Sequence, residues 1–324
     1  EWQVRLRDKV SGQPLNLSAR AVVNATGPGA DAINRQVAVQ TDYHHVLSKG
    51  IHLIVDRLSP VERVLTFFAS DGRLFFVIPM GNRTCIGTTD TPVENASVTV
   101  SDDDRDFVLA NANALLKLDK PLTRDDVIAE RVGVRPLAVA GESTERDWVQ
   151  LSRKHEIEVD EQRRFLSIFG GKLTDCLNVG EEVVSLLNRL GIAVPDSGKV
   201  WYGQPPLARR AAFLAAASSI ALDERTPAGS DVPLTQLLWR RYGEDAFQIL
   251  EAVRDDPEGF TPLFPGVALI RAELEVLLSR EMVVEPEDLL RRRTMAALMM
   301  PQDQLEASLG YQTVLSRISS TRSS

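Results

Sequence analysis

Eight consecutive residues, Ser167-Ile168-Phe169-Gly170-Gly171-Lys172-Leu173-Thr174, constrain this chain more than any others. An apolar stretch suited to a buried strand ends in two glycines and passes into a helical pattern. The joint is that of an α/β layer. Glycine lets the backbone turn sharply and approach a ligand closely. The helix start offers N–H groups that can hold negative charge. Lys172 puts a mobile cation where the helix dipole disfavours one, so an anionic or electron-rich neighbour is expected. The same residues also suit a plain tight strand-to-helix turn.

The rest of the chain sorts into two regimes. Strand patterns are expected at residues 2–7, 15–17 and 21–25, with a short helix at 30–35. A β-rich stretch follows at 52–55, 64–68, 74–79 and 84–87, with Met80-Gly81-Asn82 as a hairpin turn. Ser101 before Asp102, Asp103 and Asp104 is a strong helix start, running to about residue 118. Further strands are expected at 127–134, 155–159 and 165–169, then an amphipathic helix at 174–190 ended by Gly191. After a stretch at 196–206 rich in proline and glycine, only helical patterns remain, at 207–222, 233–242, 246–255, 267–281, 286–298 and 302–318. The expected fold class is therefore a mixed α/β (α+β) body over residues 1–200 and an all-α domain over 201–324, with a frayed polar tail at 319–324.

With 324 residues, both parts can bury a core. The net charge of −8 argues against a nucleic-acid partner, but not against a small anion held by a few buried cations. Cys85 and Cys176 form no CxxC pair, which suggests a reducing compartment and no metal site. No apolar window is long enough for a transmembrane helix. Glu1 enters a strand-like pattern without a start methionine or signal, as in a truncated chain.

Four elements carry candidate chemistry. Lys172 follows the glycine pair. Arg135, in Gly133-Val134-Arg135-Pro136-Leu137, closes an apolar strand before a proline that stops pairing. His52 opens a strand in Lys49-Gly50-Ile51-His52. Arg153 stands in Leu151-Ser152-Arg153-Lys154-His155. Each also has a plain reading, as a surface arginine, a structural histidine or a solvated charge.

Together with Ile86-Gly87-Thr88-Thr89-Asp90, in this order, these motifs resemble the FAD-dependent glycerol-3-phosphate dehydrogenases. Residues 19–28 look like the last strand of that family's flavin domain, and residues 287–294 are similar to its C-terminal domain signature. The resemblance implies an FAD/NAD(P)-binding flavoprotein body lacking its first G-x-G-x-x-G unit, a β-rich substrate region and a helical cap. It also implies oxidation of sn-glycerol 3-phosphate to dihydroxyacetone phosphate, with FAD as cofactor and a quinone as acceptor. By the same resemblance, His52 is the general base, Arg135 stabilises the developing negative charge, and Arg153 and Lys172 bind the phosphate. Ala25, Thr26, Gly27, Gly170, Gly171, Lys172, Leu173 and Thr174 line the flavin. A cytoplasmic location, a peripheral seat on the inner face of the membrane and a homodimer are all compatible with it.

The chain departs from the family at Gly29, usually tryptophan, and at Thr174-Asp175-Cys176, usually Thr-Thr-Tyr. Alternatives are a glycerol-3-phosphate oxidase using O2, an amine or amino-acid oxidase, and a non-catalytic fragment. Gly27-Pro28-Gly29-Ala30-Asp31-Ala32 also matches G-x-G-x-x-A, but the span to Asp56 is too long for a ribose-binding acid.

Overall fold

The computed structural model describes all residues except 142–153, 201, 229 and 324, and only the backbone of 321–323. The strands are β1 (Trp2–Arg7), β2 (Pro14–Ala19), β3 (Val22–Asn24), β4 (Tyr43–Asp56), β5 (Leu65–Phe68), β6 (Leu74–Met80), β7 (Arg83–Gly87), β8 (Thr91–Val93), β9 (Ala129–Ala140), β10 (His155–Asp160) and β11 (Phe165–Gly170). The helices are α1 (Ala30–Gln36), α2 (Asp102–Leu115), α3 (Cys176–Arg189), α4 (Leu207–Ser218), α5 (Leu234–Tyr242), α6 (Ala246–Asp255), α7 (Arg271–Arg280), α8 (Ala296–Met299), α9 (Gln302–Ala307) and α10 (Leu309–Ser323). They fall into two compact units. The first takes Glu1–Ile51, Thr88–Asp104 and Val132–Trp201, and the second takes His52–Gly87, Arg105–Arg131 and Tyr202–Ser324.

In the first unit, β1 and β2 form an antiparallel hairpin. A three-stranded sheet has the order β10-β11-β3, antiparallel between β10 and β11 and parallel between β11 and β3. Its core includes Phe165, Leu166 and Phe169, all at most 1% exposed. Burying each contributes roughly 1.5–3 kcal/mol. Residues 47–49 of β4 pair with β8. Helix α2 begins with a reciprocal cap: the Asp104 N–H donates to Ser101 Oγ (3.2 Å), and the Ser101 N–H donates to Asp104 Oδ2 (2.9 Å).

In the second unit, β5, β6 and β7 form an antiparallel meander, and residues 52–56 of β4 pair with β7. Gly81 makes the β6–β7 turn at φ +60°. The helices α4–α10 enclose two apolar clusters, one centred on Phe264, Leu274 and Leu289, the other on Phe213, Leu238 and Ile249. Gly310 is needed here, because a Cβ at that position would strike the Leu263 carbonyl.

Several expectations need correction. His52 does not open a strand; β4 begins nine residues earlier, at Tyr43. Pro136 does not end β9, which continues to Ala140. Pro136 lies within β9, which pairs with β4. The helix expected at 174–190 starts as a 3-10 turn, Leu173–Asp175, before α3. The run at 302–318 is split because Ser308 is extended (ψ 149°) and its Oγ caps the Tyr311 N–H at 3.1 Å. The tail is helical through Ser323.

Candidate functional site

The parallel pairing of β3 with β11 sets Asn24 beside Ser167, so both strands deliver their carboxyl ends to the same edge. Ala25-Thr26-Gly27 leaves one strand, and Gly170-Gly171-Lys172 ends the other. In open α/β sheets this edge is where ligands bind. A buried polar cluster fixes the first turn. Asn24 Nδ2 donates to the Ala30 carbonyl (2.9 Å) and to Asn34 Oδ1 (2.7 Å), and Thr26 Oγ1 donates to Asn24 Oδ1 (2.7 Å). Ser167 Oγ donates to the same Asn34 oxygen (2.9 Å), tying β11 to α1.

Gly170 and Gly171 both have positive φ, +62° and +83°. A Cβ on Gly170 would lie 2.9 Å from the Lys154 carbonyl, and one on Gly171 would lie 3.1 Å from His155 Cβ. Both glycines are therefore required by conformation and by space. The Gly170 N–H donates to His45 Nε2 (3.1 Å), which makes that nitrogen the acceptor. Nδ1 must then carry the proton, and it faces Asp31 Oδ2 at 3.2 Å. Burial opposes charge on Asp31, but its bonds to the His45 ring and backbone prevail and hold its carboxyl below the usual range. This Asp31–His45–Gly170 chain was not foreseen. His45 lies in the part of β4 that strand patterning had missed.

Arg135 is seated by glycine of another kind. Its guanidinium lies where a Cβ of Gly50 would be. Nη2 donates to Thr88 Oγ1 (3.0 Å), Nη1 donates to the Thr89 carbonyl (3.2 Å), and Asp90 Oδ1 stands 3.6 Å away. Asp90 itself accepts from Ser48 Oγ, and Thr89 Oγ1 accepts from the Ile51 N–H (3.0 Å). The Lys-Gly-x-His and Gly-Thr-Thr-Asp motifs thus contribute directly to the Arg135 seat. With its side chain 30% exposed, the cation is oriented yet reachable. Lys49 is turned inward, with Nζ 2.5 Å from Asp104 Oδ2, a buried pair with no exposed face for substrate.

Lys172, Leu173 and Thr174 are exposed, Leu173 at 91%. An apolar side chain so bare beside the glycine turn suits the edge of a planar apolar ring. Hydrogen bonds from Asn178 and His155, with a smaller contribution from the Lys172 charge, hold the Asp175 carboxyl below its usual range. His155 stands behind Gly171 between two carboxylates, with Nδ1 2.5 Å from Asp175 and Nε2 2.9 Å from Glu182. Two acceptors require both ring nitrogens to donate. The Glu182 hydrogen bond, aided by Asp175 and opposed by burial, raises the His155 pKa above its usual 6.5.

The first unit thus holds Arg135, Lys172 and both glycine turns. His52 belongs to the second unit, half-buried in β4 opposite Gly87. Arg153 lies outside the described residues. Among the described residues no acidic, histidine or cysteine cluster could hold a metal ion, and no helix is long and apolar enough to cross a membrane.

Residues 1–159 match the family of FAD dependent oxidoreductases, and residues 208–317 match the C-terminal domain of alpha-glycerophosphate oxidase. The chain is 29% identical over 311 residues to the aerobic glycerol-3-phosphate dehydrogenase of Bacillus subtilis, covering 90% of this chain and 53% of that protein. It is 32% identical over 183 residues to the mitochondrial glycerol-3-phosphate dehydrogenase of Mesocricetus auratus, covering 56% of this chain and 25% of that protein. Among solved structures it is similar to the glycerol-3-phosphate dehydrogenase of Bacillus halodurans complexed with FAD. The TM-score is 0.74 at 27% identity, over 99% of this chain and 62% of that one. The chain spans about half the length of the Bacillus subtilis relative.

Proposed function

We propose, for a chain that belongs with the FAD-dependent glycerol-3-phosphate dehydrogenases over the part of them it spans, that it forms the flavin-ring and substrate side of an enzyme oxidising sn-glycerol 3-phosphate to dihydroxyacetone phosphate. The observation that carries this reading is the side-by-side delivery of Ala25–Gly27 and Gly170–Thr174 by parallel strands. The two turns bring close-approaching backbone and a bare Leu173 to one edge, which fits a flat heterocycle. Bound FAD would supply the hydride acceptor.

The chain's own residues do the rest. Ala25, Thr26 and Gly27 from one turn, and Gly170, Gly171, Leu173 and Thr174 from the other, would hold the ring. N–H groups at the start of the Leu173–Asp175 turn favour negative charge on its near edge. Arg135, oriented by Thr88 and Thr89, would stabilise negative charge developing on the C2 oxygen of the substrate. His52 is assigned as the base that takes the C2 hydroxyl proton, and Arg153 and Lys172 as the phosphate-binding cations. We assign the electrons to a quinone, at the periphery of a membrane.

Anaerobic glycerol 3-phosphate should bleach the visible absorption of the flavin-loaded enzyme, while glycerol and amino acids should not. Arg135→Ala should slow that bleaching by roughly 10²–10³, and His52→Ala by roughly 10²–10⁴. Absence of bleaching by glycerol 3-phosphate refutes the assignment. Stopped-flow reoxidation by a soluble quinone and by O2 decides the acceptor.

A further inference from the structure

The second unit contains a cavity of about 610 Å³ that the proposed reaction does not use. Its walls come from the β6–β7 turn, α5, α7 and the segment after them. The volume falls in the range that holds a drug-sized ligand. Three features of the lining point to a particular kind of occupant.

The first is Asn82. Its Oδ1 is buried and has no hydrogen-bond partner among the described residues. A buried acceptor left unsatisfied costs roughly 1–3 kcal/mol, so a donor is missing there.

The second is Arg293, at the end of a π-helical turn, Asp288–Arg293. Such turns are rare and recur at functional sites. This one is anchored rather than frayed: Asp288 Oδ2 accepts from the Val284 and Glu285 N–H groups at 3.0 and 2.9 Å. Arg293 spends its Nε on the Glu281 carbonyl (2.7 Å), with the Glu281 carboxylate at 3.5 Å. Its two terminal nitrogens make no hydrogen bond among the described residues. Neighbouring Arg241 is not available in this way, being held by the fully buried Glu273 at 2.8 Å.

The third is the apolar wall of Val267, Leu277, Met295 and Met299. Methionine adapts its shape to an occupant at little cost.

We propose that this cavity binds a small amphipathic organic anion. Its single acid group would meet Arg293, its apolar or aromatic body would lie against Met295, Met299 and Leu277, and a hydroxyl or amine N–H would satisfy Asn82 Oδ1. Against the four arginines of the lining, Arg241, Arg291, Arg292 and Arg293, stand three carboxylates, Glu62, Asp231 and Glu281, a balance that suits an occupant with one negative charge. The proposal does not rest on the flavin reading.

The dye 8-anilinonaphthalene-1-sulfonate has all three parts: one sulfonate, an aromatic body and an N–H. Titrated into the intact chain, it should give a saturable, one-site fluorescence rise that excess FAD does not displace. Arg293→Gln should weaken it at least about tenfold. Met295→Trp should abolish it by filling the mouth; Met295 is already 54% exposed, so the folded core is not disturbed. Melting curves of both variants establish that they fold. If Arg293→Gln unfolds, Met295→Trp alone decides. No fluorescence rise, a rise that does not saturate, displacement by FAD, or unchanged binding in a folded variant overturns the proposal.

Discussion

Gly50→Ala tests whether the seat of Arg135 is real. In an ordinary strand this change gains roughly 0.5–1 kcal/mol, because alanine loses less backbone entropy on folding. Here the new methyl would occupy the space of the Arg135 guanidinium, which must withdraw. Withdrawal forfeits the charge-assisted bonds to Thr88 Oγ1 and the Thr89 carbonyl. Each such bond contributes roughly 1.5–3 kcal/mol. Because the side chain is 30% exposed, water makes good part of the loss, and the total falls near the lower end, about 3 kcal/mol. Net of the backbone gain, Gly50→Ala should destabilise by about 2 kcal/mol. With Arg135→Ala already present the seat is empty, and the same methyl should stabilise by roughly 0.5–1 kcal/mol. The two backgrounds should therefore differ by about 3 kcal/mol, a large coupling for one methyl group. Urea unfolding followed by far-UV circular dichroism measures it, provided the slope with denaturant is the same in all four proteins. An equal effect of Gly50→Ala in both backgrounds refutes the reasoning.

Lys49→Met strands Asp104 as a buried charge and should destabilise by about 3–5 kcal/mol; a urea midpoint within error of the parent would show that water relieves the pair. Gly170→Ala combines a left-handed backbone with contacts at 2.9 and 3.0 Å, and should cost at least about 2 kcal/mol. Gly180→Ala, in α3 with open space around it, should instead gain about 1 kcal/mol, and the pair of melting curves checks both signs. His155 has a raised folded pKa, so its contribution is fully present below the unfolded value of about 6.5 and is lost as pH rises through the higher folded value. His155→Gln should remove that decline, which lies above about pH 6.5; a pH–stability curve with the same slope in parent and variant would contradict it.

Local chemistry was readable in the sequence wherever neighbours along the chain decide the outcome. Ser101 with three aspartates produced its helix cap, and Gly81 produced its hairpin turn. The Gly170–Gly171 joint appeared where strand gave way to helix. Contacts between distant segments left no such trace. Gly50 reads as a strand breaker until the Arg135 guanidinium is seen resting on it, and this is why β4 appeared to begin at His52. His45 acts only because Gly170 arrives from 125 residues away. Pro136 reads as a stop, yet β9 carries on through it to Ala140. Asp175 marked a departure from the family pattern, and its bond to His155 gives that departure a structural role within this chain.

The β3–β11 pairing also bears on how the molecule assembles. Asn34 and Ser167 meet across 133 residues of chain. Closing so long a loop must be met in entropy before any contact repays it. The helical clusters around Ile249 and Leu274 join segments close in sequence and escape that delay. The β3–β11 edge is therefore expected to form later than those helical clusters. While it is unmade, β11 carries an apolar, unpaired flank, the kind of surface on which nascent chains aggregate or recruit chaperones.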